Sequence, residues 1–462
     1  MPREMMPHLL VLLPGVMGSV LQRDGKDVWA PSAQAVLSEL MSGGQSLKRL
    51  ALDHDDTDDG VVATRLMPDV HLIPGFWKID GYGKIRDTIT AMFDIREDAN
   101  YYEFPYDWRR DNRIAANRLH QEAGARLQQW RQQSGNPDAK LVLVAHSMGG
   151  LIARYFLEVL DGWRDTKALI TFGTPYRGSL NALNALSNGI RYGPGGILDV
   201  SDIVRSFTAA YQLLPTYPVY DSGDSQLVRV GETSGVPNLD AERASKALAF
   251  FHEIRTAVSA HQNDDEYRER GYALHPVVGI EQPTFQSARR SGDRVELLQS
   301  YQGEDLGGDG TVPRVSASPE EELSDTKDMY TATKHASLQN ADAVLQHLAG
   351  KLESLDLNLG GFLVPTVPPQ RLSLAIADAY TPDEPVVIRV QPNSPVNTLA
   401  ARVASATKRA AARRARFLPG ADGWYQAEVG PLAPDIYRIT VSGGTKVQPV
   451  SDIFAVLAPA AS

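Results

Sequence analysis

The chain has no cysteine, which excludes disulfides, thiolate metal sites and cysteine nucleophiles. It also lacks a long apolar run. The longest near the start, Leu9 to Pro14, is far shorter than the ~20 residues of a membrane span, and one Arg with one Glu ahead of it does not read as a signal peptide. A cytoplasmic protein, at most peripheral to a membrane, is therefore expected. An excess of positive charge is missing too: 46 Lys and Arg stand against 56 Asp and Glu, for a net charge of −10, so no nucleic-acid partner is expected. What remains is a composition of 43% hydrophobic and 22% charged residues over 462 positions, enough for one large enzyme domain and a smaller module.

Short apolar blocks ending in turn residues mark buried parallel strands. His8 to Leu13 is closed by Pro14-Gly15, and Lys140 to Val144 follows the same pattern, as does Lys167 to Phe172, closed by Gly173-Thr174-Pro175; Pro276 to Ile280 is a weaker case. Helical spacing lies between them, over Ile114 to Gln133 and Leu151 to Leu160. Strands alternating with helices predict an α/β fold with a mostly parallel sheet. Two segments, about 25–98 and 180–265, interrupt the alternation and are the expected cap or lid. In the second, Ile203, Phe207 and Tyr211 recur at four-residue spacing between Ser201-Asp202 and Pro215, which predicts one apolar face of a short helix. The first domain is expected over 1–357 and a Gly- and Pro-rich linker over 358–368. Over 369–462, short alternating segments predict an immunoglobulin-like β-sandwich.

The strongest chemical signal is Ala145-His146-Ser147-Met148-Gly149-Gly150, between a predicted strand and a predicted helix. That is the context of a nucleophile elbow, with Ser147 lifted out of the sheet. A serine needs a histidine base and an acid to orient it, in the chain order Ser, acid, His. Asp309, in Gly308-Asp309-Gly310, and then His335 fit that order, with Asp305 the competing acid and His347 another downstream histidine; His252, His261 and His275 precede Asp309 and are disfavoured. His146 is expected to pack beneath the elbow. The N–H of Met148 and one from the loop after the first strand, that of Val16, are the expected oxyanion donors. Phe76 and Trp77 are expected to contact lipid at an interface, and Phe207 and Tyr211 the acyl chain. Tyr106-Asp107-Trp108-Arg109-Arg110 is read as a structural ion pair with a buried Trp rather than as catalytic. The acidic run Asp53 to Asp59 lacks the spacing of a calcium loop, so neither a metal nor a cofactor is expected.

Together, Leu13-Pro14-Gly15, Tyr106-Asp107-Trp108-Arg109, Ala145 to Gly149, Gly173-Thr174-Pro175, Tyr211 to Pro215, Gly308 to Pro313 and His335 resemble the lecithin:cholesterol acyltransferase and lysosomal phospholipase group of α/β-hydrolases. The resemblance implies fatty acyl esters of glycerophospholipids as substrates, an acyl-enzyme on Ser147, Asp309 and His335 as triad partners, and Val16 with Met148 as oxyanion donors. The expected function is that of a serine lipase or phospholipase acting by hydrolysis or acyl transfer. The alternatives are a non-lipid carboxylesterase, or an effector whose β-sandwich recognises a regulatory protein partner. The basic residues Lys408, Arg409, Arg413, Arg414 and Arg416 are read as a solvated face of that module.

Overall fold

The structure is a computed structural model describing residues 3–29, 47–55, 58–68, 71–73, 77–96, 98–192, 198–322, 329–355, 370–420, 423–444 and 447–457. Among these, six parallel strands form the central sheet: β1 (Leu9–Leu13), β2 (Tyr101–Glu103), β3 (Leu141–His146), β4 (Thr166–Phe172), β5 (Ala273–Gly279) and β6 (Met329–Thr331). Their order across the sheet is β2-β1-β3-β4-β5-β6. All of β1 and β3 is buried, because helices cover both faces of such a sheet, and this is why the strands read as unbroken apolar blocks. Among the described residues, the helices of ten residues or more are α1 (Gly83–Met92), α2 (Asn112–Ser134), α3 (Met148–Glu158), α4 (Ala241–His261) and α5 (Asp342–Glu353). α2 starts where the Asp111 side chain accepts from Arg113 N–H and stops at Gly135, whose φ is 68°; a side-chain cap opens it and a left-handed glycine closes it.

Two expectations change. The segment 180–265 is not only a set of short cap helices, since it ends in the 21-residue α4, whose Phe250 stacks on Tyr155 of α3 with ring centroids 5.3 Å apart. α4 is thus packed onto α3. The single helix carrying Ile203, Phe207 and Tyr211 is instead two short helices, Ser201–Ser206 and Thr208–Tyr211, with Phe207 extended between them. Tertiary contact overrides the periodicity: Phe207 packs edge-on against Trp108 at 5.6 Å, and Ala209 N–H donates to the Arg109 carbonyl. Part of the first segment adds an antiparallel sheet, Ser19–Arg23 with Lys26–Trp29 and Val61–Leu66.

The C-terminal module is a β-sandwich of two mainly antiparallel sheets with its own buried cluster, from Leu372 to Val456. The expected linker 358–368 lies outside the described residues. The module is bonded to the body at several places. Lys78 Nζ lies 2.7 Å from Asp378 and 3.1 Å from Asp452, Gln282 Nε2 donates to the Leu372 carbonyl at 2.9 Å, Leu374 N–H donates to Gln282 Oε1 at 3.0 Å, and Arg438 pairs with Asp80. Arg413, Arg414 and Arg416 lie on an edge strand of the module with Arg413, Arg414 and Arg416 exposed.

Asp107 and Arg109 form the expected ion pair, Nη2 to Oδ2 at 2.7 Å. Arg109 is fully buried and reaches Asp59 at 2.9 Å and the Leu50 carbonyl at 3.0 Å. Trp108 beside it donates to the Ser19 carbonyl. Arg110 pairs with the same two carboxylates, Asp59 at 2.8 Å and Asp107 at 3.1 Å, so replacing Arg109 by methionine keeps the bulk and removes one of two guanidiniums from the group; Arg109→Met is expected to cost about 2–4 kcal/mol in urea unfolding, and a loss below about 1 kcal/mol would show the pair to be dispensable.

Candidate active site

The loops that follow the C-terminal ends of the parallel strands meet at one edge of the sheet, where open α/β folds place their sites. Ser147 directly follows β3 and has φ 52° and ψ −124°, a left-handed conformation that non-glycine residues hold only when their surroundings enforce it. Its N–H donates to the Phe172 carbonyl at 2.9 Å, and Thr174 Oγ1 donates to its carbonyl at 3.0 Å. Glycines make the approach of the neighbouring loop feasible. A Cβ on Gly149 would lie 2.4 Å from the Pro14 carbonyl oxygen, and one on Gly15 2.9 Å from Ser147 Cβ.

Ser147, Asp309 and His335 are brought together. His335 Nε2 lies 3.0 Å from Ser147 Oγ, and His335 Nδ1 lies 2.6 Å from Asp309 Oδ2. The other carboxylate oxygen accepts from the N–H groups of Thr311 at 2.9 Å and Val312 at 2.7 Å, so a single loop fixes the acid. His335 N–H donates to the Asp309 carbonyl at 2.9 Å, which locks the base loop to the acid loop. All three side chains are buried. Hydrogen-bonded in this way, the carboxylate can hold one imidazole tautomer while Nε2 takes the serine proton. Asp305 does something else: its Oδ1 accepts from Gln286 Nε2 and Gly307 N–H and shapes the same loop.

Of the expected oxyanion donors, Met148 is the chain neighbour of Ser147, and Val16 follows Gly15, at which a Cβ would lie 2.9 Å from Ser147 Cβ. Met148 begins α3 immediately after Ser147, and Val16 lies in the loop after β1, both buried. That loop is held by Gly18 N–H to the Gly15 carbonyl at 3.0 Å and by Tyr106 Oη to the Pro14 carbonyl at 2.9 Å.

His146 packs beneath the elbow as expected, but it also has a role that no motif announced. Gly15 N–H donates to the Tyr82 hydroxyl at 2.6 Å, Tyr82 donates to His146 Nδ1 at 2.9 Å, and His146 Nε2–H donates to the His335 carbonyl at 3.2 Å. This chain ties the oxyanion loop, the elbow and the base loop together. Burial, with the His335 charge adding to it, holds the His146 imidazole well below its ordinary range, and burial pushes the Tyr82 phenol up. Both groups are therefore neutral, as the chain requires.

Of the expected lipid contacts, Phe207 and Tyr211 are among the described residues. Phe207 and Tyr211 are buried in the core, Phe207 against Trp108 and Tyr211 under the Arg243 guanidinium. Phe76 and the side chain of Trp77 lie outside the described residues; the backbone at Trp77 begins a strand paired with His71–Ile73. Among the described residues, no group of His, Asp and Glu could hold a metal ion, and no helix is long and apolar enough to cross a membrane.

The order of the parallel sheet, with the loops of the site gathered at its C-terminal edge, defines the class: an α/β-hydrolase with an added β-sandwich. The lecithin:cholesterol acyltransferase family model matches residues 77–249, a span that holds Tyr106 to Arg109 and Ser147 but not Asp309 or His335. The resemblance to that family is therefore borne out over that span. Among solved structures, the chain is similar to Bacillus licheniformis lipase BlEst2 in its propeptide form, at 13% identity and TM-score 0.31, covering 96% of this chain and 73% of that one. It is also similar to phospholipase PlaB from Legionella pneumophila, at 9% identity and TM-score 0.24, covering 98% and 93%. A comparison with curated proteins finds none that matches. The family match supports an acyl-ester hydrolase or acyltransferase type of function.

Two outcomes are expected here. Asp309→Asn and His335→Ala should each lower kcat by about 10³-fold or more, and the double variant should be little worse than the worse single one, because triad members act as a unit; additive losses, or an equally inactive Asp305→Asn, would contradict the assignment. The second concerns pH. The folded His146 stays neutral where its unfolded counterpart, with an ordinary value near 6.5, takes up a proton. Below about pH 6.5 the unfolded state binds more protons, so stability falls as pH drops through that range. His146→Gln should make the fall in urea midpoint between about pH 7.5 and 5.5 shallower than in the wild type, and parallel slopes would count against a neutral buried imidazole.

Proposed function

We propose that the protein is a serine lipase or phospholipase that removes fatty acyl chains from glycerophospholipids through an acyl-enzyme on Ser147. The observation that carries this reading is the relay of Ser147 Oγ to His335 Nε2 at 3.0 Å and of His335 Nδ1 to Asp309 at 2.6 Å, mounted on a strained strand-to-helix turn. In the first half, Nε2 accepts the serine proton as Oγ attacks the ester carbonyl, and the N–H groups of Met148 and Val16 receive the developing oxyanion. The bond to the alcohol then breaks, and His335 returns the proton to the departing oxygen. In the second half, water or an acceptor alcohol loses its proton to His335 and attacks the acyl carbonyl, releasing acid or a new ester and restoring Ser147.

Glycerophospholipid as the substrate class is supported by the family match over 77–249. Peripheral contact with a membrane is part of the same reading, since the lipid must be reached at its surface.

Mixed phospholipid vesicles incubated with the protein and read by lipid mass spectrometry test it. Free fatty acid with lysophospholipid, or acyl transfer to an added alcohol, is expected from the wild type, with a loss of several orders of magnitude in Ser147→Ala. Turnover of a soluble short-chain ester with none of any phospholipid would replace this reading by that of a non-lipid carboxylesterase.

A further inference from the structure

Charge is divided unevenly along the chain. Residues 369–462 hold ten Lys and Arg against seven Asp and Glu, and the rest of the chain holds 36 against 49, so the C-terminal module carries +3 on a protein of −10. Such a division points to a partner of opposite sign for the basic part. The module's described cations form ion pairs as Arg371 with Glu281, Lys408 with Asp435 and Arg438 with Asp80. Arg402, Arg409, Arg413, Arg414 and Arg416 pair with no carboxylate among the described residues, and all five are exposed.

The sheet gathers these arginines on one face. Arg402 stands directly opposite Arg414 in the antiparallel pairing of Ala400–Ser405 with Arg413–Arg416. Arg416 follows on the same side of its strand, with the buried Ala415 turned inward between the two, and Arg409 lies in the connection that joins the strands. Like charges directly opposite one another destabilise a sheet, and Thr440, the neighbour of Arg402 on its other side, is uncharged. Charged side chains on an edge strand keep other chains from pairing with it, which accounts for 413–416. It does not account for Arg402, whose strand is bonded on both sides. The face therefore holds a repulsion that an anion laid across it would relieve.

We propose, resting on the glycerophospholipid reading of the substrate, that this face of Arg402, Arg414 and Arg416, with Arg409, Arg413 and Leu418 beside it, is the surface by which the module docks on an anionic phospholipid membrane. Leu418 selects a lipid surface among polyanions. It stands two residues past Arg416 and is 72% exposed, and an apolar side chain next to guanidiniums suits the boundary of headgroups and acyl chains, where both find partners. The negative charge of the hydrolase body opposes such docking only at short range, since salt screens it beyond about 8 Å. At contact each arginine near an anionic leaflet strengthens binding by roughly fivefold.

Co-sedimentation of the full-length protein carrying Ser147→Ala tests the proposal, with vesicles of phosphatidylcholine alone or with about one-third phosphatidylglycerol. Binding is expected to the mixed vesicles and not to phosphatidylcholine alone, and should weaken by about tenfold or more between about 0.1 and 0.5 M salt. Replacing Arg402, Arg414 and Arg416 together by Gln should lower the affinity for mixed vesicles by about 30-fold or more. Replacing the same three by Lys should keep it within about threefold of the parent, and Leu418→Ser should lower it by about threefold or more. Equal binding to both vesicles, a fall below about threefold in the Gln variant, a Lys variant as weak as the Gln variant, unchanged binding in Leu418→Ser, or a preference for duplex DNA over mixed vesicles at equal phosphate would each overturn the proposal. If the Gln variant shows no cooperative urea unfolding, Arg414→Gln alone decides, with about a fivefold fall expected and less than twofold overturning. Phospholipid hydrolysis by the wild type is read separately. Vesicle binding without hydrolysis removes the substrate reading, whereas hydrolysis with parent-like binding in the Gln variant removes only the docking surface.

Discussion

A serine at φ 52° is held there against its own preference, and much of the site's architecture depends on that constraint. The conformation costs about 1–3 kcal/mol and persists only where neighbours over-determine it. Here the neighbours are the parallel sheet, through the Phe172 carbonyl, and the Thr174 hydroxyl on the far side. The glycines at 15 and 149 let the β1 loop close over the turn. The same packing puts Ser147 Oγ within reach of His335, so the strain of the turn and the geometry of the relay have one origin.

The hydrogen-bond chain through His146 extends that constraint to the other loops. Gly15, Tyr82, His146 and the His335 carbonyl are linked in series, with buried neutral groups whose every shared proton has one consistent direction. The module adds a second set of ties. Gln282 bonds both the strand Leu372–Ala375 and the loop before Asp309. Asp80 pairs with Arg438, and its N–H donates to the Ala336 carbonyl, one residue after His335. The acid loop and the base loop are thus each connected to the β-sandwich within a few bonds.

What could be read from the sequence follows from how local each signal was. The elbow was legible because strand, small residues and helix are contiguous around Ser147, and Asp309 and His335 followed from chain order and glycine punctuation. The buried strands were legible because both faces are covered, which leaves an unbroken apolar block. Tyr82 was not, since it stands 64 residues from His146 with no motif around it. The helix expected through Phe207 failed because its four-residue spacing is broken by packing against Trp108, a contact that periodicity does not carry. The docking of the module was beyond reach for the same reason, as Lys78 and Asp452 are 374 positions apart.

The central claim is that acyl transfer passes through a covalent ester on Ser147. It is tested most directly by acid-quenching the protein within milliseconds of mixing with an activated ester and locating the adduct by peptide mass mapping. The account predicts an added acyl mass on the peptide containing Ser147, formed at least as fast as steady-state turnover. Turnover with no adduct at any time, or an adduct on another residue, would contradict it.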